Sequence, residues 1–228
     1  MNDGPRLSVD IISDVMCPWC IIGWLKFAEV MAHFKGRLDF RVQWHPFELN
    51  PGMPPEGEDA AEHVMRKYGI SAEQSRANTN RLAAIAAGLG FAINRGPGFR
   101  MRNSFDAHRL LTWAAALEEP EQQATTGVQT ALKLALFRTH FTDNRDVSDR
   151  DVLADVAASV GLDRDRAAAI LASDDYGEMV RVEEAYWADR NITGVPAFIL
   201  DGRMLVPGAQ DPEVFIRVIE NKVLASAG

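Results

Sequence analysis

Cysteine is scarce in this sequence, whose 228 residues include only Cys17 and Cys20. The two lie so close along the chain that a disulfide between them would close almost no loop and would add little stability to the fold. A tetrahedral zinc site needs further ligands, yet the sequence offers no second cysteine pair and no His-x-x-x-His spacing. A structural disulfide and a zinc site are therefore both disfavoured, and no metal is expected.

Long apolar runs and an excess of positive charge are also missing. No uninterrupted apolar segment approaches the roughly 20 residues that cross a bilayer, so no membrane partner is expected. The formal net charge of −8 argues against a nucleic-acid partner. The first residues show no basic segment followed by an apolar one, which predicts a cytoplasmic location. In the cytoplasm a working dithiol is favoured over a persistent structural disulfide.

The two ends of the sequence carry the strand patterns. Residues 7–12 form an apolar run typical of a central strand, and residues 38–44 alternate strictly between apolar and polar. A helical pattern separates them, so the order strand, helix, strand predicts a parallel pair. Near the other end, Asp201-Gly202 joins two short apolar segments and predicts a hairpin, and Asp211-Pro212 predicts the start of a closing helix.

Helical patterning prevails between these two ends. The predicted helices cover residues 58–68, 71–89, 103–117, 121–140, 149–160, 163–171 and 176–189. The sequence thus predicts an α/β fold with one four-stranded mixed sheet, flanked by helices and interrupted by a large all-helical insertion. The predicted domains are a discontinuous α/β unit, residues 1–57 and 191–228, and an insertion, residues 58–190.

The segment Cys17-Pro18-Trp19-Cys20 follows the first predicted strand at the start of the first predicted helix. Unpaired N–H groups and the helix dipole stabilise a thiolate there, so a lowered pKa is expected for Cys17. Cys20 lies one turn further on the same face and is expected to be more buried and less acidic. This pattern predicts a redox-active Cys17 with Cys20 as its resolving partner, and Pro18 and Trp19 as substrate contacts.

Several segments together resemble the DsbA-like thioredoxin family, and specifically its FrnE-like branch. They are Ser13–Cys20 with Gly23, Trp44–Asn50, Asn103–Leu110, Gly194–Phe198 and Pro207–Gln210. Ile21-Ile22 departs from the family pattern, in which an aromatic residue often follows the second cysteine. The resemblance implies a thioredoxin-like fold and a protein disulfide oxidoreductase. It also implies a cis Val195–Pro196 bond opposite Cys17, with both residues contacting substrate; otherwise Pro196 merely opens an edge strand.

The leading hypothesis is therefore a thiol–disulfide oxidoreductase that reduces, forms or isomerises disulfides through a mixed disulfide. Its expected substrates are disulfide- or thiol-containing proteins or small thiols. No cofactor is expected beyond the Cys17–Cys20 pair, with glutathione as a candidate co-substrate. The main alternative is a glutathione-dependent enzyme like the kappa-class transferases or hydroxychromene-carboxylate isomerases, which are similar in fold. They usually have serine at the position of Cys17 and no use for Cys20.

A third hypothesis is a binding or chaperone module. In it, Phe91, Phe99, Met101 and Phe105 would line a groove in the helical insertion; alternatively they pack its core. His108, close to Phe105 on one predicted helix, is either a proton shuttle or an ordinary core histidine.

Overall fold

The computed structural model describes residues 5–96, 98–118 and 127–223. In chain order its elements are β1 (Arg6–Ser13), α1 (Pro18–His33), β2 (Asp39–Pro46), β3 (Glu58–Asp59), α2 (Ala60–Tyr68), α3 (Ala72–Gly88), β4 (Arg100–Met101), α4 (Phe105–Ala116), α5 (Val128–Phe141), α6 (Arg150–Ser159), α7 (Arg164–Ala172), α8 (Gly177–Ala188), β5 (Ala197–Leu200), β6 (Met204–Pro207) and α9 (Pro212–Val218), followed by a π-helical turn (Ile219–Val223). None of the helices within these residues is both long and apolar enough to cross a membrane.

The main sheet has the strand order β2-β1-β5-β6. β1 runs parallel to β2 and antiparallel to β5, and β5 runs antiparallel to β6. The central strand β1 buries Leu7, Val9 and Ile11 completely, as its apolar run predicts. The predicted α/β class, the four-stranded mixed sheet and the thioredoxin-like arrangement are confirmed.

The outer strand β2 is covered by a side chain from the insertion. Trp44 N donates to Oε1 of Gln129 at 3.0 Å, and Gln129 Nε2 donates to Trp44 O at 2.8 Å. The Trp44 indole N–H also donates to Thr130 Oγ1 at 3.0 Å. An edge strand otherwise exposes such backbone groups. The amide of Gln129 therefore pairs with β2 at the place where a further strand would pair.

The insertion is mostly helical, as predicted, but it contains one short ladder that sequence reasoning missed. Glu58 and Asp59 pair with Met101 and Arg100 as β3 and β4. Asp59 then caps α2 by accepting from the N–H groups of residues 61 and 62, so this helix begins at Ala60 and not at Glu58. The predicted start of α5 at Glu121 lies outside the described residues. The division into two domains stays a prediction.

One packing contact joins α1 to the segment that precedes β5. A Cβ atom added at Gly23 would lie 3.1 Å from Cγ of Pro196 and 3.4 Å from ring atoms of Phe198. Both neighbours are buried, so they have little room to move. The close approach of α1 to this segment therefore favours glycine at position 23.

We expect Gly23→Val to lower the free energy of unfolding by about 2–3 kcal/mol, because the added side chain overpacks a full core. Gly88→Val is the matched control, since a Cβ at Gly88 meets nothing within 4 Å. It should change stability by less than about 0.5 kcal/mol. Urea unfolding followed by circular dichroism measures both, and equal effects at the two positions would contradict the packing argument.

Candidate active site

Cys17 lies at the N-cap of α1 in extended conformation, and Pro18 occupies the first helical position. The backbone N–H of Cys17 donates to Asp14 O at 3.1 Å, and the N–H of Cys20 donates to Cys17 O at 3.0 Å. The side chain is only 4% exposed, and its Sγ donates to the carbonyl oxygen of Val195 at 3.6 Å. Trp19, by contrast, is 38% exposed beside it. The predicted nucleophile is thus held on a helix start and faces the Val195 backbone.

Cys20 is completely buried, as predicted, and a buried lysine lies near it. Lys133, on α5, is fully buried and donates from Nζ to Ser13 O at 3.2 Å. The ammonium group lies over the rings of Trp44 and Phe137, at 5.5 and 5.2 Å from their centroids. Burial lowers the pKa of Lys133 to about 8, against the opposing influence of the charges on Cys20 and Asp14. The insertion therefore supplies a cation beneath the cysteine pair.

The expected order of the two thiol pKa values is wrong for this reduced conformer. Interaction with the Cys20 side chain and burial raise the pKa of Cys17, and the charge of Asp14 raises it further. Burial also raises the pKa of Cys20, but the side chains of Cys17 and Ser13 and the charge of Lys133 outweigh it and lower the net pKa. The helix start alone predicts the opposite order, because the sequence does not reveal the direct interaction between the two thiols or the places of Ser13 and Lys133 beside Cys20.

Asp14 fixes the turn that leads into the cysteine motif. It is fully buried, and its carboxylate accepts from the N–H groups of Met16 at 3.0 Å and Leu49 at 2.7 Å. Nε2 of the buried His108 lies 3.6 Å from the carboxylate. Burial raises the pKa of Asp14, but interactions with His108 and the two backbone donors lower it to a net value below the usual range. Asp14 is therefore held ionised at neutral pH.

We expect Asp14→Asn to lower the free energy of unfolding at pH 7 by about 2–3 kcal/mol, since the amide cannot accept from both backbone donors as the carboxylate does. Because the pKa of Asp14 is depressed in the folded protein, its ionised carboxylate stabilises the fold above about pH 4, and this contribution is lost as the pH falls further. The difference in the free energy of unfolding between the variant and the wild type should therefore narrow below pH 4. Urea titrations between pH 7 and pH 3 measure it.

Asp149→Asn is the matched control for this substitution. Asp149 also accepts from two backbone N–H groups, but it caps the exposed start of α6, where asparagine serves as well as aspartate. A loss below about 0.5 kcal/mol is expected there. A loss at Asp14 that did not depend on pH would contradict the ionised state assigned to it.

The predicted substrate-contact residues meet around Cys17. Pro18 and Trp19 follow it on α1, and Val195 approaches it from the segment before β5. The Val195–Pro196 peptide bond is cis, and Pro196 O accepts from Gly208 N–H at 2.8 Å. Pro196 itself is buried against Gly23. The structure therefore brings all six predicted site residues together, with Cys20 and Pro196 on the buried side.

A cavity of about 880 Å³ opens in front of the cysteine motif. Cys17, Pro18, Trp19 and Val195 line one side of it. Residues of α2 and α3 line the other side, together with Arg95, Phe99 and Met101. The insertion therefore closes over the motif, and a ligand in this cavity would lie against Cys17.

A family model described as the DSBA-like thioredoxin domain matches residues 8–220, which is nearly the whole chain. The chain belongs to this family. It is thereby placed among DsbA-like thiol–disulfide oxidoreductases, and the Cys-x-x-Cys spacing of Cys17 and Cys20 fits that placement. The comparisons do not single out the FrnE-like branch.

Individual relatives agree with the family. A probable DsbA oxidoreductase from Streptomyces coelicolor, SCO1869, is 35% identical with a TM-score of 0.82, over 93% of this chain and 88% of that one. The uncharacterised protein YwbO of Bacillus subtilis (strain 168) is 27% identical over 94% of this chain and 96% of its own length. A 2-hydroxychromene-2-carboxylate isomerase is 14% identical with a TM-score of 0.65, over 96% and 97% of the two chains, which shows a shared fold alone.

The apolar residues proposed to line a groove in this DsbA-like chain differ in burial and in their distance from the cavity. Phe91, Phe99 and Met101 are buried in the main core, and the last two also line the cavity before Cys17. Phe105 lies under the guanidinium of Arg181, 4.0 Å from ring centroid to Cζ. His108 is buried and close to the carbonyl of Phe47, with Nε2 at 3.1 Å from that oxygen. His108 is therefore a buried core residue, whereas Phe105 is half-buried and packs beneath Arg181.

Sequence reasoning missed two cations of the site. Lys133 had a visible signal, because it interrupts the apolar run from Leu132 to Phe137 on a predicted helix. Arg95, in the glycine-rich loop, had none, since its place beside the cavity depends on how the insertion folds. Among the described residues, no group of three or more His, Cys, Asp or Glu side chains could hold a metal ion.

Proposed function

We propose that this DsbA-like protein reduces, forms or isomerises disulfides through a mixed disulfide on Cys17, with Cys20 as the resolving thiol. One observation carries the proposal. Cys17 lines an open cavity, while Cys20 lies completely buried one helical turn below it, next to the cation of Lys133. A nucleophile accessible to substrate and a shielded partner are what a two-step exchange requires.

The chemistry follows from the coupling between the two thiols. The side chains of Cys17 and Cys20 interact directly, so the pair can hold a single proton, with one sulfur as thiol and the other as thiolate. When this proton passes from Cys17 to Cys20, the Cys17 thiolate faces the cavity. That thiolate attacks one sulfur of a substrate disulfide, the substrate S–S bond breaks, and a mixed disulfide forms on Cys17. Cys20 then gives its proton to the departing substrate thiolate, a loss that the charge of Lys133 favours, and attacks Cys17. The bond between Cys17 and the substrate breaks, and the reduced substrate leaves as the Cys17–Cys20 disulfide forms. Run in reverse, the same steps oxidise a dithiol.

The other predicted contacts fit this exchange. The carbonyl of Val195 lies 3.6 Å from Cys17 Sγ, where an N–H donor of a bound substrate can replace the thiol as its partner. Pro18 and the exposed Trp19 lie at the cavity wall beside the sulfur. Pro196 lies on the buried side of the site, where its close approach to Gly23 packs the segment before β5 against α1.

The resemblance of the motif segments supports a place in the FrnE-like branch. The expected place of action is the cytoplasm, a proposal that rests on the redox argument that a working dithiol is favoured there over a persistent structural disulfide. Fractionation of cells that express the untagged protein, with antibody detection, tests the location. Recovery in an extracytoplasmic fraction would overturn it.

The function is tested by equilibrating the protein with glutathione redox buffers and following tryptophan fluorescence. The emission of Trp19 and Trp24 should change when the Cys17–Cys20 disulfide forms. A reversible two-electron transition is expected, and thiol counting by alkylation and mass spectrometry should give the same midpoint. A midpoint near −270 mV indicates a reductase, and one near −120 mV an oxidant. If the pair never formed a disulfide, the proposed function would be wrong.

The glutathione-dependent transferase or isomerase makes a different prediction. Its activity would need glutathione bound near position 17 but would not need Cys20. Conjugation of glutathione to 1-chloro-2,4-dinitrobenzene separates the two functions. Conjugation that survives in Cys20→Ser, together with no disulfide turnover in the wild type, would favour the alternative.

A further inference from the structure

Arg95 is a partly buried cation for which the described structure holds no counter-ion. Its guanidinium lies over the rings of Phe99 and Phe141, with Cζ at 5.1 and 5.5 Å from their centroids. Nε is buried and has no hydrogen-bond partner among the described residues. By contrast, Arg109 and Arg102 each pair with an aspartate, at 2.7 and 2.9 Å. Arg95 therefore lacks the partner that other arginines of low exposure have here.

The guanidinium stays charged at neutral pH. Burial lowers the pKa of Arg95 to about 10, and a charge on Cys17 raises it, which places the two side chains within electrostatic reach of each other. A poorly solvated cation without an anion destabilises the fold. An anion that enters from solvent would offset this cost, and the planar fork of arginine pairs best with a planar carboxylate.

The cavity that Arg95 lines has the size and charge for such a ligand. Its volume of about 880 Å³ falls within the range of small-molecule sites, which runs to about 1,000 Å³. Among the charged side chains of its described lining, the cations Lys67, Arg76, Arg81 and Arg95 outnumber the single carboxylate of Asp59. The whole chain carries a net charge of −8, so this is a local reversal of sign.

We propose that the cavity selects small-molecule disulfides that carry a carboxylate, which Arg95 binds while Cys17 attacks the neighbouring sulfur. The inference rests on the proposed function and names its substrate class. The Cys17 thiolate displaces one thiolate from the substrate, and Cys20 displaces the second. Two electrons pass to the substrate, the two leaving thiolates take up protons from Cys20 and from solvent, and the protein ends as the Cys17–Cys20 disulfide.

The test compares three small disulfides that differ in charge: 3,3′-dithiodipropionate, 2-hydroxyethyl disulfide and cystamine. Rate constants for oxidation of the reduced protein are followed by tryptophan fluorescence and divided by those of each disulfide with free dithiothreitol. The wild type should favour the dicarboxylate over the neutral disulfide by at least about tenfold, as expected for one charge-assisted pair, with cystamine slowest. Arg95→Gln should lose this preference, so that its rate constants for the dicarboxylate and for the neutral disulfide differ by less than about twofold.

Two further variants serve as controls. Arg164→Gln removes the same charge from an exposed position on α7 outside the cavity and should keep the preference. Arg95→Lys keeps the positive charge but lacks the planar fork of the guanidinium, so it should keep part of the preference for the dicarboxylate. If the wild type showed no preference, or if Arg95→Gln slowed all three disulfides equally, the inference would be wrong.

Alkylation separates failure of this inference from failure of the proposed function, because it needs no redox activity. Iodoacetate is anionic and iodoacetamide is neutral, so the rate of alkylation of Cys17 by iodoacetate, divided by the rate with iodoacetamide, reports attraction by Arg95. Arg95→Gln should lower that ratio by about fivefold or more. A lowered ratio without any disulfide turnover would keep the anion site and reject the oxidoreductase; an unchanged ratio would reject the anion site.

Discussion

Cys17→Ser is expected to reduce the turnover of disulfide substrates to the uncatalysed background. A serine hydroxyl is not ionised at neutral pH and cannot form a mixed disulfide, so no partial step remains. Cys17 is also the only cysteine that lines the cavity in the described structure. Insulin reduction by dithiothreitol, followed by turbidity, measures the loss, and residual activity above background would contradict the mechanism.

Cys20→Ser is the matched variant, and a different failure is expected from it. The first attack by Cys17 should still occur, but the mixed disulfide should persist because its resolving thiol is gone. Intact mass spectrometry after addition of a small disulfide should show one adduct per chain, located at Cys17 by peptide mapping. An adduct that cleared as quickly as in the wild type would show that Cys20 is not the resolving group.

Lys133→Met is expected to make the protein more stable and less active. The buried ammonium is held with a pKa of about 8 where an exposed lysine has about 10.5, a cost of about 3 kcal/mol at neutral pH. Methionine has a similar length and no charge, so the free energy of unfolding at pH 7 should rise by about 1–3 kcal/mol after loss of the bond to Ser13 O. Urea unfolding gives this difference.

The pH dependence of this gain has a definite sign. Below pH 8 the lysine is protonated in both the folded and the unfolded states, so the cost is fully present. Between pH 8 and about 10.5 the folded protein releases the proton first, the cost is relieved, and the gain from the variant should shrink. Lys35→Met, at an exposed position after α1, should show neither the gain nor its pH dependence.

The loss of activity in Lys133→Met should appear in the resolving step. Without the nearby cation the pKa of Cys20 rises, so less thiolate is present at pH 7, and resolution should slow by about tenfold. Rapid mixing of reduced protein with a small disulfide, with acid quench and mass spectrometry, measures the lifetime of the adduct. Faster resolution, or a less stable variant at pH 7, would contradict the role assigned to Lys133.

The sequence was sufficient to predict the sheet and the cysteine motif. The apolar run of β1, the alternation of β2 and the Asp201-Gly202 hairpin are local signals, and each gives its strand directly. The capping box of α3 is another such signal, since the side chains of Ser71 and Gln74 each bond to the other's backbone N–H. Where the pattern depends on neighbours along the chain, the sequence predicts the structure well.

The features it could not predict depend on distant parts of the chain. The β3–β4 ladder joins segments about forty residues apart that are too short to show any periodicity. The charge of Lys133, which contributes to the lowered pKa of Cys20, lies more than a hundred residues away along the chain. The position of Arg95 also depends on distant segments, because only the folded cavity shows that this cation shares a lining with Cys17 and that its Nε has no partner among the described residues.

The pairing of Gln129 with β2 has a consequence for how the molecule unfolds. The side-chain amide belongs to α5 of the insertion, yet it satisfies both backbone groups of Trp44 in the sheet. Separation of the insertion from the sheet would expose those groups together with the buried Lys133 and Trp44 side chains. We therefore expect the helices and the sheet to unfold together, because the insertion cannot move away from β2 without leaving these buried polar groups unpaired.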